Sequence, residues 1–478
     1  MNKKAVFFAG LIVLLSACTA IGEGSDEGDV ATLVAGFQQT ATAKAKSAFS
    51  NSPMGGSGGG AASPTLSGNQ NNELKPTSAN FSDEGRDLIV ENGVVRVVFD
   101  KDWGGAIREI SFNGENMVNE YDGGRLIAVS FYDGATTEGN TDHPADTGWN
   151  PTPSDWLNNS NNPLSYTFEN NTLHIQTRYI QWFPLDKGGG EGNPVATDVI
   201  VDTWFSFVNA PNLMHVKYKM TYQGNEDHVL AQQEFPFAYI RSPFYRFVTY
   251  EGNRPWTNDA VFFDESVPVF PNHGDTRSNE YWAGFVNEQD IGLLMYAPQN
   301  YGAMTYNYFD NQPPAENSCF YFLPYAFFDL RKGVSKEINV FFYAGSWRDA
   351  RESFYSLKET TDFPDILPSF GFMDSLYPGA QVSGTVDVAG WALDNTEISS
   401  VEIFLDGQKI GEATYGHPRP DVEEANSTTA KGPNVGYVFP WDTSHFSNGI
   451  HTLRVELVDK DGNRSVAEPG EISITIYN

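Results

Sequence analysis

Between Leu88 and Lys358 the sequence repeats one device: a short run in which apolar and polar side chains alternate, closed by Gly, Pro, Asn or Asp. The runs include Gly93-Val-Val-Arg-Val-Val-Phe99, Ala106-Ile-Arg-Glu-Ile-Ser-Phe112, Leu173 to Arg178, Val199 to Phe207, Met214 to Tyr222 and Ile338 to Tyr343. A period of two puts alternate side chains on opposite faces of a strand, so each run has one face to bury. The 45 Gly and 27 Pro leave little room for long helices. A single helix is predicted, from Ser346 to Leu357, with Ser346 at its start and Asp349 three residues on. With 34 Phe, 22 Tyr and 10 Trp there is ample material for cores. The fold class expected is all-β: a large sandwich over 85–358, a linker over 359–371, and a smaller sandwich over 372–478.

The smaller unit is built from Val382 to Asp394, Ser400 to Ala413, Gly416 to Val422 and Gly449 to Asp459, with Asp406-Gly407 and Asp461-Gly462 where tight hairpin turns are needed. Strand spacing of this kind over about 105 residues suggests an immunoglobulin-like sandwich. Asp459-Lys-Asp-Gly-Asn463 lacks the remaining ligand spacing of a calcium loop and reads as a hairpin turn.

The first residues have another character. Lys3 and Lys4 precede an apolar run from Ala5 to Leu15 and then Leu15-Ser16-Ala17-Cys18, the order of a secretory signal over 1–17. The run is too short to span a bilayer as a helix. Residues 18–84 are expected to form a tether, with an amphipathic stretch from Asp29 to Phe49 and a Gly/Ser-rich one from Asn51 to Pro64; about 32 flexible residues span roughly 30 Å.

Thirty basic against 61 acidic residues give a formal charge of -31, which argues against nucleic acid as a partner. Two cysteines exclude a disulfide framework and a Cys-rich zinc site. No Gly-rich phosphate loop opens a helix, and neither Gly-x-Ser-x-Gly nor His-Glu-x-x-His occurs. No cofactor and no metal are expected.

Two resemblances add to this reading. Leu15-Ser-Ala-Cys18 resembles the lipobox of bacterial lipoproteins, which implies lipidation of Cys18 after cleavage; Thr19 in place of Asp resembles outer-membrane sorting. Membrane contact is then through the lipid anchor only, on the periplasmic or the external face. Trp103-Gly-Gly-Ala-Ile-Arg-Glu-Ile-Ser-Phe-Asn-Gly-Glu-Asn116, Asn119-Glu-Tyr-Asp-Gly-Gly-Arg125 and Val129-Ser-Phe-Tyr132 together resemble the opening of galactose-mutarotase-like domains. That resemblance covers 85–345 and implies a β-supersandwich with Arg125 at the edge of a sugar site. Its family includes epimerases, domains of lyases and hydrolases, and non-catalytic glycan binders. The C-terminal segments resemble the Ig-like modules of bacterial surface enzymes.

A sugar site mixes aromatic platforms with acids, amides, Arg and His. Three segments have that mixture. Asp142 to Trp156 offers Trp149 and Trp156 on a long Pro-rich loop. In His228 to Tyr239, Glu234 is a candidate base beside Pro236; on a straight strand His228 would share its face about 20 Å away. The densest segment carries Arg254, Trp256, His273, Asp275, Arg277, Glu280 and Trp282, with strand alternation placing Glu280 beside Trp282.

Glu280, His273, Asp275 and Glu234 are the expected catalytic groups, and Arg125, Trp149, Trp156, Arg254, Trp256, Arg277 and Trp282 the expected substrate contacts. Hydrolysis by two carboxylates and proton abstraction beside a uronate, with Arg neutralising it, are both open. The function expected is a lipoprotein that binds, and cleaves or modifies, a polysaccharide or oligosaccharide. Its alternatives are a non-catalytic glycan binder and a structural adhesion protein. Four Arg against seven acidic residues between His228 and Trp282 favour a neutral or mildly charged glycan. Cys319, with no His near it in sequence, reads as an inert thiol.

Overall fold

The computed structural model describes residues 74–133, 148–252, 254–267, 274–276, 278–300, 302–308, 318–426 and 432–478. Cys18, His273 and Arg277, and with them Asp142, His143 and Asp146, lie outside the described residues.

The alternating runs pair into two sheets of ten strands each. Along the first, the order is Asn80–Glu84, Asp87–Glu91, Val95–Asp100, Ala106–Phe112, Ile127–Ser130, His228–Arg241, Cys319–Leu330, Gly302–Tyr308 and Gly274–Thr276, with Glu115–Asn116 paired to Ala106–Phe112. Every strand pair within these two sheets is antiparallel. The main core lies between the sheets and takes alternate residues from each: Val97, Phe99, Phe235, Phe320 and Phe322 from the first, Val199, Val201, Val216, Val340 and Phe342 from the second.

The second sheet is also covered outside. Phe341 and Tyr343 face away from the main core into a second apolar cluster with Trp282, Leu294 and Tyr296, closed by Ala350, Phe354 and Leu357 of the helix Trp347–Thr360. That helix begins where expected: the Ser346 hydroxyl accepts from the Arg348 N–H at 3.2 Å. The sandwich starts earlier than the sequence suggested, because Asn80–Glu84 pairs with Asp87–Glu91 and Phe81 stacks on Phe168 at 5.0 Å. A polar strand with one apolar anchor gives little local signal.

The second domain has a four-stranded and a six-stranded sheet around its own core, including Val388, Ile403, Trp441, Leu453 and Val455. The hairpin between Ile398–Leu405 and Gln408–Glu412 turns at Asp406 (φ 49°) and Gly407 (φ 76°), the doubly positive turn that Asp-Gly favours. Among the described residues no helix is long and apolar enough to cross a membrane.

Candidate functional site

Glu280 precedes the strand Trp282–Val286 of the second sheet and is fully buried. Its Oε1 accepts from Arg351 Nη2 (2.8 Å), the Tyr355 hydroxyl (2.6 Å) and the Trp256 backbone N–H (2.9 Å); its Oε2 accepts from Arg351 Nε (2.9 Å) and Trp282 Nε1 (2.7 Å). Burial works to raise the pKa of this carboxyl. The bonds from Arg351, Tyr355, Trp282 and Trp256 outweigh burial and hold the pKa below the ordinary glutamate range. Arg351 donates a further bond to the Asp259 carbonyl, so the ion pair fastens the 250–259 loop to the helix.

Glu280 and Trp282, expected among the catalytic and substrate-contact residues, therefore present no surface to a sugar. Trp282 is buried against Phe354, and Trp256 packs edge-on to Tyr296 and Tyr355. Glu280 is a structural carboxylate with every lone pair directed at a donor. Arg254 lies apart from it, exposed and paired with Asp259 at 2.9 Å.

Glu234 is placed differently. It sits on the strand His228–Arg241 of the first sheet, opposite Ser130 on one side and Tyr325 on the other. Its neighbour Phe235 belongs to the main core, so Glu234 points to the other face. On that face stand Phe237, Tyr239, Tyr321, Leu323 and Tyr325; Tyr239 and Tyr321 are 4.5 Å apart between ring centroids, and Phe237 lies 6.0 Å from Tyr239. Phe237, Tyr321, Leu323 and Tyr325 are buried while Glu234 stays half-buried. Desolvation raises its pKa to about 7, against the bonds that Tyr321 and Tyr132 donate to it. A carboxyl titrating near neutrality accepts and returns a proton under ordinary conditions.

The remaining candidates are dispersed. Arg125 pairs with Asp122 at 3.2 Å, covers the Tyr121 ring, and leads into the strand Ile127–Ser130 beside Glu234. Trp149 stacks on His228 at 3.6 Å, and His228 bonds Asp133 at 3.1 Å and meets Tyr222 of the main core. A register shift between His228 and Ala231 breaks the straight-strand phase that put His228 and Glu234 on one face. Trp156, 36% exposed, stacks on Phe183. The backbone of Asp275 lies in the edge strand Gly274–Thr276 of the first sheet. Cys319 is buried, and burial pushes its thiol up to about 12, so the inert reading fits.

Residues 374–455 match the bacterial Ig domain family. The Ig domain follows a sandwich that resembles, in fold, a galactose mutarotase-like protein from Lactobacillus casei: 7% identity over 54% of this chain and 99% of that one, TM-score 0.35. A putative aldose 1-epimerase from Escherichia coli K12 is 11% identical over 56% of this chain and 99% of its own, TM-score 0.34. A polysaccharide lyase is 9% identical over 81% of this chain and 47% of its own, TM-score 0.31. No curated protein matches. Such distant likenesses leave the chemistry to be read from the site itself.

The tyrosines were missed in the sequence, although the signal for Tyr321 and Tyr325 was present. In Cys319-Phe-Tyr-Phe-Leu-Pro-Tyr325 the residues Phe320 and Phe322 take one face and Tyr321, Leu323 and Tyr325 the other.

Proposed function

We propose that this chain is a carbohydrate-binding lipoprotein that modifies a polysaccharide or oligosaccharide on the face of the first sheet bearing Glu234. The observation that carries the reading is a half-buried carboxyl with its pKa raised to about 7 among tyrosines and phenylalanines. Of the rings on this face Tyr132 and Tyr239 are partly exposed, and these two can meet the C–H faces and O–H groups of a sugar. Above pH 7 the Glu234 carboxylate takes a proton from a sugar hydroxyl or an acidic C–H, with Tyr132 and Tyr321 holding it in place. Among the described residues, burial and these two tyrosines are what act on Glu234. A neutral or mildly charged glycan suits the acidic chain. Lipid attachment at Cys18 and residence in the outer membrane complete the proposal and rest on Leu15-Ser-Ala-Cys18 and on Thr19 after it.

The test is a glycan panel screened with the full-length protein and with Glu234→Gln, followed by product analysis. Binding by both proteins with product from the wild type alone, rising through about pH 7, supports the reading. Binding by both without product leaves a pure glycan binder, and no binding at all ends the carbohydrate assignment. Lipidation is read separately by the mass shift of the mature N-terminus, lost in Cys18→Ser.

A further inference from the structure

Three carboxylates meet where the first sandwich hands over to the Ig domain. Asp365 lies in the segment after the helix Trp347–Thr360, Asp394 follows the strand Thr385–Leu393, and Asp459 ends the strand Gly449–Asp459. One oxygen from each falls within 4.8 Å of the other two. Asp365, Asp394 and Asp459 are 9%, 6% and 1% exposed, so water solvates them little.

The partners of these oxygens can be counted. Asp459 Oδ1 accepts from the Asp461 and Asn463 N–H groups at 2.9 and 2.8 Å, and its Oδ2 from Asn463 Nδ2 at 2.7 Å. Asp394 Oδ1 accepts from the N–H and hydroxyl of Thr396 at 2.7 and 2.6 Å, and Asp365 Oδ1 from the Leu367 N–H at 3.1 Å, with the Asn395 side chain also acting on the Asp365 carboxyl. The second oxygens, Oδ2 of Asp365 and Oδ2 of Asp394, are buried and accept nothing. Unpaired buried carboxylate oxygens are costly unless a cation or a proton meets them. Lys336 feels the charges of Asp459 and Asp365, but its ammonium bonds Asn463 Oδ1 and the Ile366 carbonyl.

We propose that Asp365, Asp394 and Asp459 form a calcium site that locks the segment after the first sandwich onto the Ig domain. An all-oxygen, all-carboxylate set selects a hard cation, and calcium contacts of about 2.3–2.6 Å place ligand oxygens up to roughly 5 Å apart. A cleft of about 270 Å³, lined by Lys336, Glu337, Asp365, Asp461 and Asn463, borders the cluster at Asp365. The join is already stitched by Asn463 Nδ2 donating to the Asp365 carbonyl at 2.8 Å and by Ser465 donating to the Ser369 carbonyl. The Asp459–Asn463 turn is thus a hairpin turn, as its sequence indicated, and also one ligand of a site whose other members come from distant parts of the chain. The absence of a calcium-loop spacing and the expectation of no metal both follow from that scattering.

The test uses the full-length protein freed of metal by chelation. Calcium titrated by calorimetry should give saturable binding with a Kd between about 10⁻⁶ and 10⁻³ M. The melting temperature should climb with the logarithm of calcium above Kd. Asp394→Asn keeps the shape and the bond to Thr396; it should abolish the calcium-dependent rise and, in chelator, melt no lower than the wild type, because it removes one of three like charges. Absence of saturable binding, or a calcium response unchanged in Asp394→Asn, overturns the proposal. So does a melting temperature that rises on acidification in chelator and is then indifferent to calcium, which would mean the carboxylates share a proton instead.

Discussion

Two glutamates of the first domain, Glu234 and Glu280, show how far environment outweighs residue type. Both stand beside aromatic residues and both are withdrawn from water. Glu280 receives five hydrogen bonds, two of them from Arg351, and is ionised and sealed beneath a helix. Among the described residues Glu234 has two tyrosine hydroxyls and no cation acting on it, and its pKa is raised to about 7. The first carboxylate holds a loop to a helix; the second is free to exchange a proton. A dense local run of acids, arginines and tryptophans thus marked the fully paired glutamate, and a sparser tyrosine-lined strand the one whose pKa is raised.

The largest effect expected is on Glu280. Glu280→Ala leaves Arg351, 3% exposed, buried without its partner. Removing one member of a buried pair costs about 3–5 kcal/mol. Calorimetric melting should show that loss, while glycan affinity measured well below the transition stays at the wild-type value. A variant that melts normally but binds no glycan would reverse the comparison. The folded-state pKa of Glu280 is depressed, so its contribution is present above the ordinary glutamate pKa and fades only as pH falls through the folded value.

Glu234 should behave with the opposite sign. Its folded pKa is raised, so between about pH 4.5 and about pH 7 the folded chain keeps a proton that the unfolded chain has released. Stability from this group is complete below the unfolded pKa and is lost as pH rises through the folded one, on the order of 3 kcal/mol. Melting temperatures of wild type and Glu234→Gln, measured across that window, should converge or cross as pH increases, since glutamine does not titrate. Tyr321→Phe removes a donor that favours the carboxylate and should move the midpoint above 7. A wild-type minus Glu234→Gln difference independent of pH would show that the carboxyl titrates normally.

Much of the fold was legible, because strand parity and turn chemistry are local. Val199 to Phe207, Met214 to Tyr222 and Gly449 to Asp459 lie within the strands Ala196–Phe207, Leu213–Tyr222 and Gly449–Asp459, and Ser346 caps its helix. Parity even brought Glu280 and Trp282 together, and Trp282 Nε1 does donate to Glu280. What it lacked was Arg351 and Tyr355, brought onto the same carboxylate by a helix far along the chain. Whether an acid is paired depends on such distant partners, and period-two patterns carry no information about them. His228 failed for a smaller reason: one register shift was enough to change its face.

The smallest effect expected discriminates between the two regions most directly. Arg254 is 69% exposed in its side chain and pairs with Asp259, itself one-third exposed. An ion pair this wet contributes about 0–1 kcal/mol and is screened by salt. Arg254→Ala should shift the melting temperature slightly, and less at high ionic strength. Its effect on glycan binding is the more telling number, because Arg254 belongs to the loop that Glu280 fastens through Trp256 and Arg351, not to the sheet face bearing Glu234. Unchanged affinity keeps the sugar on the first sheet. A tenfold loss, equivalent to about 1.4 kcal/mol, would exceed anything an exposed pair supplies to stability and would place the sugar beside Arg254. Glu280 would then be the buried support of a surface site, and the roles assigned to the two glutamates would have to be exchanged.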